Sequence, residues 1–294
     1  MRYWHYLLIF FLASLLLLVF ALAPLFDNRL HLVFCDVGQG DGILIYQKQV
    51  QILVDAGADA KILSCLSGHM PFWDRRIEMA VITNADLDHY GGFIDIVRRY
   101  KIGAFAANMV GKNDLAFETL EKEIEKAKIK TAGLNSGQTI AFAKLKLAAL
   151  WPDKDQVSAL DTPALGSKVL GARVEEKVNP FSLVLKLSYG EFDALLTGDI
   201  VPPATDTMAE RIRGTVEVLK VPHHGSKNGL TLGMLEVSSP GLAIISAGRN
   251  NRYGHPHKET LEMLRDLRVK TLRTDQEGEI EIVSDGQTWF VKSD

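Results

Sequence analysis

Between positions 6 and 26 the chain has no charged side chain and is built mainly of Leu, Phe and Ala. About twenty such residues, wound as a helix, cross the hydrocarbon core of a bilayer. Arg2 precedes the run, and Tyr3 and Trp4 stand where interfacial aromatics belong. Residues 1–29 are therefore expected to form a membrane anchor. A cleaved signal peptide is the competing reading. Ala21-Leu-Ala23 fits its cleavage pattern, but Pro24 follows directly and disfavours a cut. One basic residue ahead of the span directs the rest of the chain to the extracytoplasmic side, although Arg29 beyond it weakens that bias. The expectation is a single-pass membrane protein, or a secreted one if the N-terminus is removed.

Past the anchor the pattern shortens. Two β-rich runs over 31–46 flank Gly-Gln-Gly-Asp-Gly at 38–42 and read as a hairpin. A strand over 50–54 ends in Asp55-Ala-Gly57, a short helix is expected over 58–66, and a strand over 79–83 leads through a tight loop to a helix over 93–100. Strand 102–108, an amphipathic helix capped by Asn113 and running to residue 128, and strand 139–151 follow. Residues 152–178 show no clear period and read as a long loop or insertion, a candidate lid. The second half repeats the style. A hairpin over 181–187 and 192–196 ends in Thr197-Gly-Asp199, then come helix 204–213, strand 216–221, strand 242–246, helix 258–267 and three short closing strands. Strands interleaved with helices in two halves predict an α/β fold, with two sheets face to face and helices outside, in one domain over 30–294.

Composition changes this picture little. A net charge of −3 in 294 residues does not advertise a nucleic-acid binder, though it leaves room for a local basic patch. The two cysteines, Cys35 and Cys65, are too few for a disulfide framework. Cys35 lies in an apolar run and reads as a small buried hydrophobe.

The chemistry sits where strands end. Asn84, Asp86, Asp88 and His89 follow one strand directly, Asp199 another, His223 and His224 a third, and His255 and His257 lie in the loop after a fourth. Any one of these alone is an ordinary turn or cap. Together they hold five of the eight histidines. If the strands run to one edge, carboxylates and imidazoles converge there, a donor set suited to Zn²⁺, Mn²⁺ or Fe. One carboxylate, Asp199, can bridge two ions.

The motifs Asp-Val-Gly-Gln-Gly-Asp (36–41), Thr-Asn-Ala-Asp-Leu-Asp-His-Tyr-Gly-Gly (83–92), Leu-Leu-Thr-Gly-Asp (195–199), Leu-Lys-Val-Pro-His-His-Gly-Ser (219–226) and Arg-Tyr-Gly-His-Pro-His (252–257), in this order, resemble the metallo-β-lactamase superfamily. Within it they are most similar to the hydrolase domain of ComEC-type DNA-uptake competence proteins. The resemblance implies an αββα four-layer sandwich with one or two divalent metal ions, Zn or Mn with Mg as an alternative, at one edge of the sheets. The superfamily's His-x-His-x-Asp-His loop falls on Asn84, Asp86, Asp88 and His89, so Asn84 is a departure. The histidine expected ahead of the Thr-Gly-Asp strand is replaced by the stretch Asn179-Pro-Phe-Ser182. By resemblance, Asp88, His89, Asp199 and His255 hold the intact second metal. Asp86 and Asp199, helped by Asn84 or Ser182, hold a weaker first one.

On this reading hydroxide from a metal-bound water attacks the substrate, with Asp88 orienting the water or taking its proton. His223 or His224 is a ligand or the proton donor to the leaving group. Ser226, Lys227, Arg249 and Arg252 are candidate phosphodiester contacts. His257 reads as a cap or a supporting hydrogen-bond partner, and Asp36, Asp41 and Asp55 as turn closures and supports for the ligands. With the anchor read from the N-terminal run, the resemblance implies a membrane-anchored phosphodiesterase or nuclease acting on DNA, with any uptake channel a separate partner. Two alternatives stay open: hydrolysis of a small ester, lactone or envelope-derived substrate at the same metal, and a non-catalytic binding module with a degenerate site. The sequence leaves the oligomeric state open.

Overall fold

The computed structural model describes residues 3–22, 27–160, 169–170, 172–174 and 178–292. The N-terminal helix Trp4–Leu22 has no acidic residue in its first turn and no basic residue in its last. Its described side chains, up to residue 16, are exposed. Among the described residues no helix is long and apolar enough to cross a membrane. The cleavage motif reaches Ala23 and Pro24, which lie outside the described residues, as does most of the 161–177 part of the insertion.

Two large sheets follow. The first has eight strands in the spatial order Trp289–Lys292, Ile280–Ser284, Leu30–Phe34, Gly42–Gln47, Val50–Ala56, Met79–Ile82, Ala104–Ala107 and Lys130–Gly133. The second has seven: Thr139–Phe142, Leu145–Trp151, Val184–Tyr189, Phe192–Leu196, Val218–Lys220, Leu242–Ile245 and Lys270–Arg273. In each sheet an antiparallel half gives way to a parallel half. The parallel strands Val50–Ala56 and Met79–Ile82 share one direction, as do Phe192–Leu196, Val218–Lys220 and Leu242–Ile245, so the C-terminal end of each set forms one edge.

Burial explains why these strands are apolar on both faces rather than alternating. Leu32, Ile43, Ile45, Ile52 and Val54 meet Leu147, Leu185, Leu187 and Phe192 between the sheets. The intervening Val33, Leu44, Leu53 and Ala80 face Ile62, Leu66, Phe93 and Ile96 of the outer helices. On the far side Leu195, Leu219 and Ala243 pack on Met208, Met234 and Leu264. Three apolar layers between four layers of structure make the expected αββα sandwich.

Two expectations need correction. Cys35 and Cys65 are joined by a disulfide, with Cα atoms 5.8 Å apart. Cys35 directly follows the first strand and Cys65 lies in the helix Ile62–His69 packed on that sheet, so packing brings together residues 30 apart in sequence. The run 139–151 is two strands, Thr139–Phe142 and Leu145–Trp151, paired as a hairpin. In the insertion, a short helix Lys154–Ser158 and a strand Ala172–Val174 form, the latter pairing in parallel with Val110–Lys112.

Candidate metal centre

The loop after Met79–Ile82 is held from beneath by the first hairpin. The backbone N–H of Asp41 donates to the Asp88 carbonyl at 3.1 Å. A Cβ on Gly40 would overlap that same carbonyl, so only glycine lets the hairpin approach so closely. Behind the loop, Gly92 is pressed against the Ala56 carbonyl, which fixes the start of the helix Phe93–Arg99.

On this frame four side chains converge. Asp199 Oδ2 lies 3.2 Å from His89 Nε2 and 3.3 Å from His224 Nε2, and His224 Nε2 lies 3.4 Å from Asp88 Oδ2. His89 Nε2, His224 Nε2 and Asp199 Oδ1 are buried and have no hydrogen-bond partner among the described residues. Orphaned buried donors and acceptors this close together are costly unless something fills the space between them. Ligands sharing one tetrahedral ion at about 2.0–2.1 Å stand about 3.3–3.5 Å apart, which matches these separations. The donor set fits a divalent cation.

The other ring nitrogens are held. His89 Nδ1 is 2.8 Å from Asp55 Oδ2, and Asp55 also accepts from the Thr83 backbone N–H at 2.7 Å. His224 Nδ1 is 2.9 Å from the Ser246 carbonyl, which can only accept. Each imidazole therefore presents Nε2 to the cluster. Burial opposes charge on both rings, but Asp199 with Asp55, and Asp199 with Asp41, raise both pKa values well above the ordinary range. Burial likewise opposes charge on Asp199, yet His224 and His89 hold its carboxyl well below the usual value. Without a metal the cluster gathers protons, which an incoming cation would displace.

Beneath the cluster Asp41, expected as a turn closure and a support for the ligands, pairs with a lysine that the sequence did not single out. Lys220 is fully buried on Val218–Lys220, ion-paired to Asp41, donating to the Gly198 carbonyl at 2.9 Å and 3.8 Å from Asp199 Oδ1. Burial pushes the Asp41 carboxyl up, but Lys220 and His224 outweigh it and bring its pKa down to about 2. The only signal in the sequence was a lysine inside an apolar strand.

The remaining candidates lie around this core. His223 Nε2 is 3.8 Å from Asp199 Oδ2 on the open side, and burial lowers its pKa. His255 is not among the converging atoms. It stands on the cavity wall, its ring centroid 5.6 Å from His223 and 6.2 Å from His224, with Nδ1 buried and without a hydrogen-bond partner among the described residues. Asp86 pairs with Lys112 at 2.5 Å. The Asn84 amide donates to Asn179 Oδ1 at 3.0 Å, while its own oxygen is buried without a hydrogen-bond partner among the described residues. Ser182 Oγ accepts from the Asp199 backbone N–H at 3.2 Å. His257 accepts from the Lys227 backbone N–H at 3.2 Å.

An open cavity of about 650 Å³ lies over the centre. Lys112 and Arg252 line it, with Gln39 and Tyr253. Ser226, Lys227 and Arg249 do not: Ser226 is buried in its turn, Lys227 is exposed, and Arg249 donates to the Asp275 carbonyl. Lys112 had no local signal, since the strand Val110–Lys112 carries it in from outside the motifs.

The sequence profile of the metallo-beta-lactamase superfamily matches residues 35–249. The ComE operon protein 3 of Bacillus subtilis is 26% identical over 280 residues, covering 88% of this chain and 33% of that protein. The competence protein ComA of Neisseria gonorrhoeae is 25% identical over 261 residues, covering 87% of this chain and 32% of its own. The chain thus spans about a third of the length of these relatives. The metallo-beta-lactamase fold protein YhfI from Bacillus subtilis superposes with a TM-score of 0.51 at 11% identity, covering 84% of this chain and 96% of that one, a likeness of fold. With its profile match, its four-layer sandwich and its aspartate–histidine centre, the chain belongs to the metallo-beta-lactamase superfamily, with competence proteins among its relatives.

Proposed function

We propose that this protein is a membrane-anchored phosphodiesterase whose substrate is DNA. The observation that carries the reading is the convergence of Asp88, His89, Asp199 and His224 beneath a cavity lined by two cations, Lys112 and Arg252. When bound, a divalent ion supplies a Lewis acid and lowers the pKa of a water molecule. The protein's own groups do the rest. Asp55 and Ser246 fix the two ligand imidazoles. Arg252, and Lys112 with its partner Asp86, line the cavity where the oxygens of a phosphodiester would enter. His223, kept neutral by burial, can accept a proton and pass it to the departing oxygen. The competence proteins among the relatives support a nucleic-acid substrate.

The anchor rests on the helix Trp4–Leu22. Its 19 residues rise about 28 Å and fall short by themselves of a hydrocarbon core of about 30 Å, so the reading leans on the whole uncharged run 6–26. Leu7 to Phe11 and Leu15 to Leu16 are exposed, as lipid contact requires. A buried disulfide suits an oxidising compartment and so supports an extracytoplasmic domain.

The test is turnover by the full chain with Mn²⁺, Zn²⁺ or Mg²⁺ on DNA, a bis-aryl phosphodiester and a lactone. DNA and the phosphodiester should be cleaved with at least one ion, and Asp199→Ala should abolish cleavage. Turnover of the lactone alone would move the substrate to the small-ester class. Metal binding without turnover of any substrate would leave a binding module.

A further inference from the structure

We infer that the loop carrying Phe72 and Trp73 is a second membrane contact, which rests the domain on the lipid interface with the metal centre pointing away from it. The inference rests on the anchor reading for where the bilayer lies. Phe72 and Trp73 are 81% and 46% exposed and pack edge to face, with ring centroids 4.8 Å apart. Single exposed aromatics are common on soluble surfaces, but an adjacent exposed pair is the chemistry of an interfacial belt.

The chain itself brings this loop to the membrane. Trp73 lines a cavity of about 400 Å³ together with Asp27, His31 and Lys48. Asp27 follows the end of the helix at Leu22 by five peptide steps, a reach of at most about 18 Å. Whatever path the connecting residues take, the Asp27 side of the cavity stays within that reach of the helix end.

Strand direction then sets the orientation. The cavity lies at the start of Leu30–Phe34 and Val50–Ala56 and at the end of Gly42–Gln47. Asp41 and Asp55, which support the metal cluster, lie at the opposite ends of these strands. A six-residue strand separates the two ends by about 20 Å. The aromatic loop therefore faces the bilayer while the catalytic cavity opens on the distal side.

The chemistry of the partner follows from the charges. Arg29 is paired with Asp27 at 2.6 Å and Arg76 with Glu78 at 2.5 Å. Arg29 and Arg76 are thus paired in place, and the cavity also carries Asp74, so the exposed aromatic pair rather than a basic patch is the feature this face offers a lipid surface. A zwitterionic bilayer suffices.

The experiment uses the full chain in phosphatidylcholine vesicles, with an environment-sensitive dye placed singly at Phe72→Cys, Asn250→Cys or Leu12→Cys. Cys35 and Cys65 are paired and buried and do not take the dye. Spin-labelled lipid should quench the dye at position 72 several-fold more than at position 250, with a blue-shifted emission at 72. Equal, weak quenching at 72 and 250 overturns the inference. Position 12 reads the anchor separately: strong quenching at 12 without quenching at 72 leaves a tethered domain that does not rest on the membrane. Quenching at 72 without quenching at 12 supports a surface contact and sinks the anchor instead. Adding Trp73→Ser to the position-72 chain should weaken its quenching several-fold, and no change on that substitution also overturns the inference.

Discussion

His223 and His224 both take left-handed backbone angles, with φ of 50° and 55°. An L-residue there costs roughly 1–2 kcal/mol. Two in succession persist because their surroundings hold them. The His223 N–H donates to the Gly198 carbonyl at 3.1 Å, and the His224 ring is tied to Ser246. The same logic applies to His89, whose useful nitrogen depends on Asp55 holding the other. Asp55→Asn keeps the shape but removes the carboxylate, and supporting partners of this kind are worth about 10–100-fold in metal affinity. Calorimetric titration with Mn²⁺ or Zn²⁺ should show that loss, and an unchanged affinity would mean that Asp55 only closes its turn. At this scale Asp88, His89 and Asp199 could be nominated from the sequence, because each lies in the loop after an apolar strand. For the remaining imidazole the resemblance named His255, with His223 or His224 as a ligand or the proton donor. Which of them reaches the cluster depends on a left-handed turn, which leaves no trace in periodicity. Lys220 and Lys112 escaped notice because their partners come from other strands.

Among the elements, the strand Ile280–Ser284 shows how the chain's end closes the first sheet. Glu281 meets His31 of the first strand at 2.6 Å, Tyr46 of the second at 3.2 Å and Lys292 of the last at 2.8 Å. Burial pushes its carboxyl up, but the His31 and Lys292 hydrogen bonds outweigh it and hold the pKa at about 2, against an ordinary 4.5. A depressed carboxylate contributes stability above its unfolded value and loses it as pH falls through its folded one. The stability gap between wild type and Glu281→Gln should be full at pH 7 and shrink between about 4.5 and 2. Urea titrations across that range check this, and a gap independent of pH would show that the carboxylate's charge plays no part. Long apolar strands such as Val50–Ala56 were legible because burial on both faces makes them continuous. Lys130–Gly133 was not, since an edge strand of Lys, Thr, Ala and Gly is half exposed and carries no pattern. The hairpin within 139–151 was hidden because alternation continues across its turn, where Ala143 takes a positive φ. The helix Leu115–Lys126 is capped by Asp114, one residue later than expected, because the Asp114 carboxylate reaches the Phe117 N–H at 2.8 Å.

For the whole molecule, two sheets direct their parallel strands to one edge, and the metal ligands come from both. Asp88 and His89 follow a strand of the first sheet, and Asp199 and His224 follow strands of the second. Anything that lets the first sheet loosen on its helices should therefore loosen the centre. The disulfide ties Ile62–His69 to the first strand across a separation of 30 residues. Replacing both cysteines with alanine should cost about 2–4 kcal/mol in urea unfolding of the oxidised protein. No change would mean that the two thiols are not joined in solution. The layered architecture was legible in the order of strands and helices, whereas the disulfide depended on packing between segments that share no local signal.

The account stands on one claim, that Asp88, His89, Asp199 and His224 share a divalent cation. Anomalous diffraction from crystals of the protein grown with Mn²⁺ or Zn²⁺ tests it directly. The account predicts a peak within bonding distance of Asp88, His89 Nε2, Asp199 and His224 Nε2, with His255 outside that shell. A peak held by Asp86 and His255 instead, or no peak among these four side chains at metal concentrations that support turnover, would contradict it.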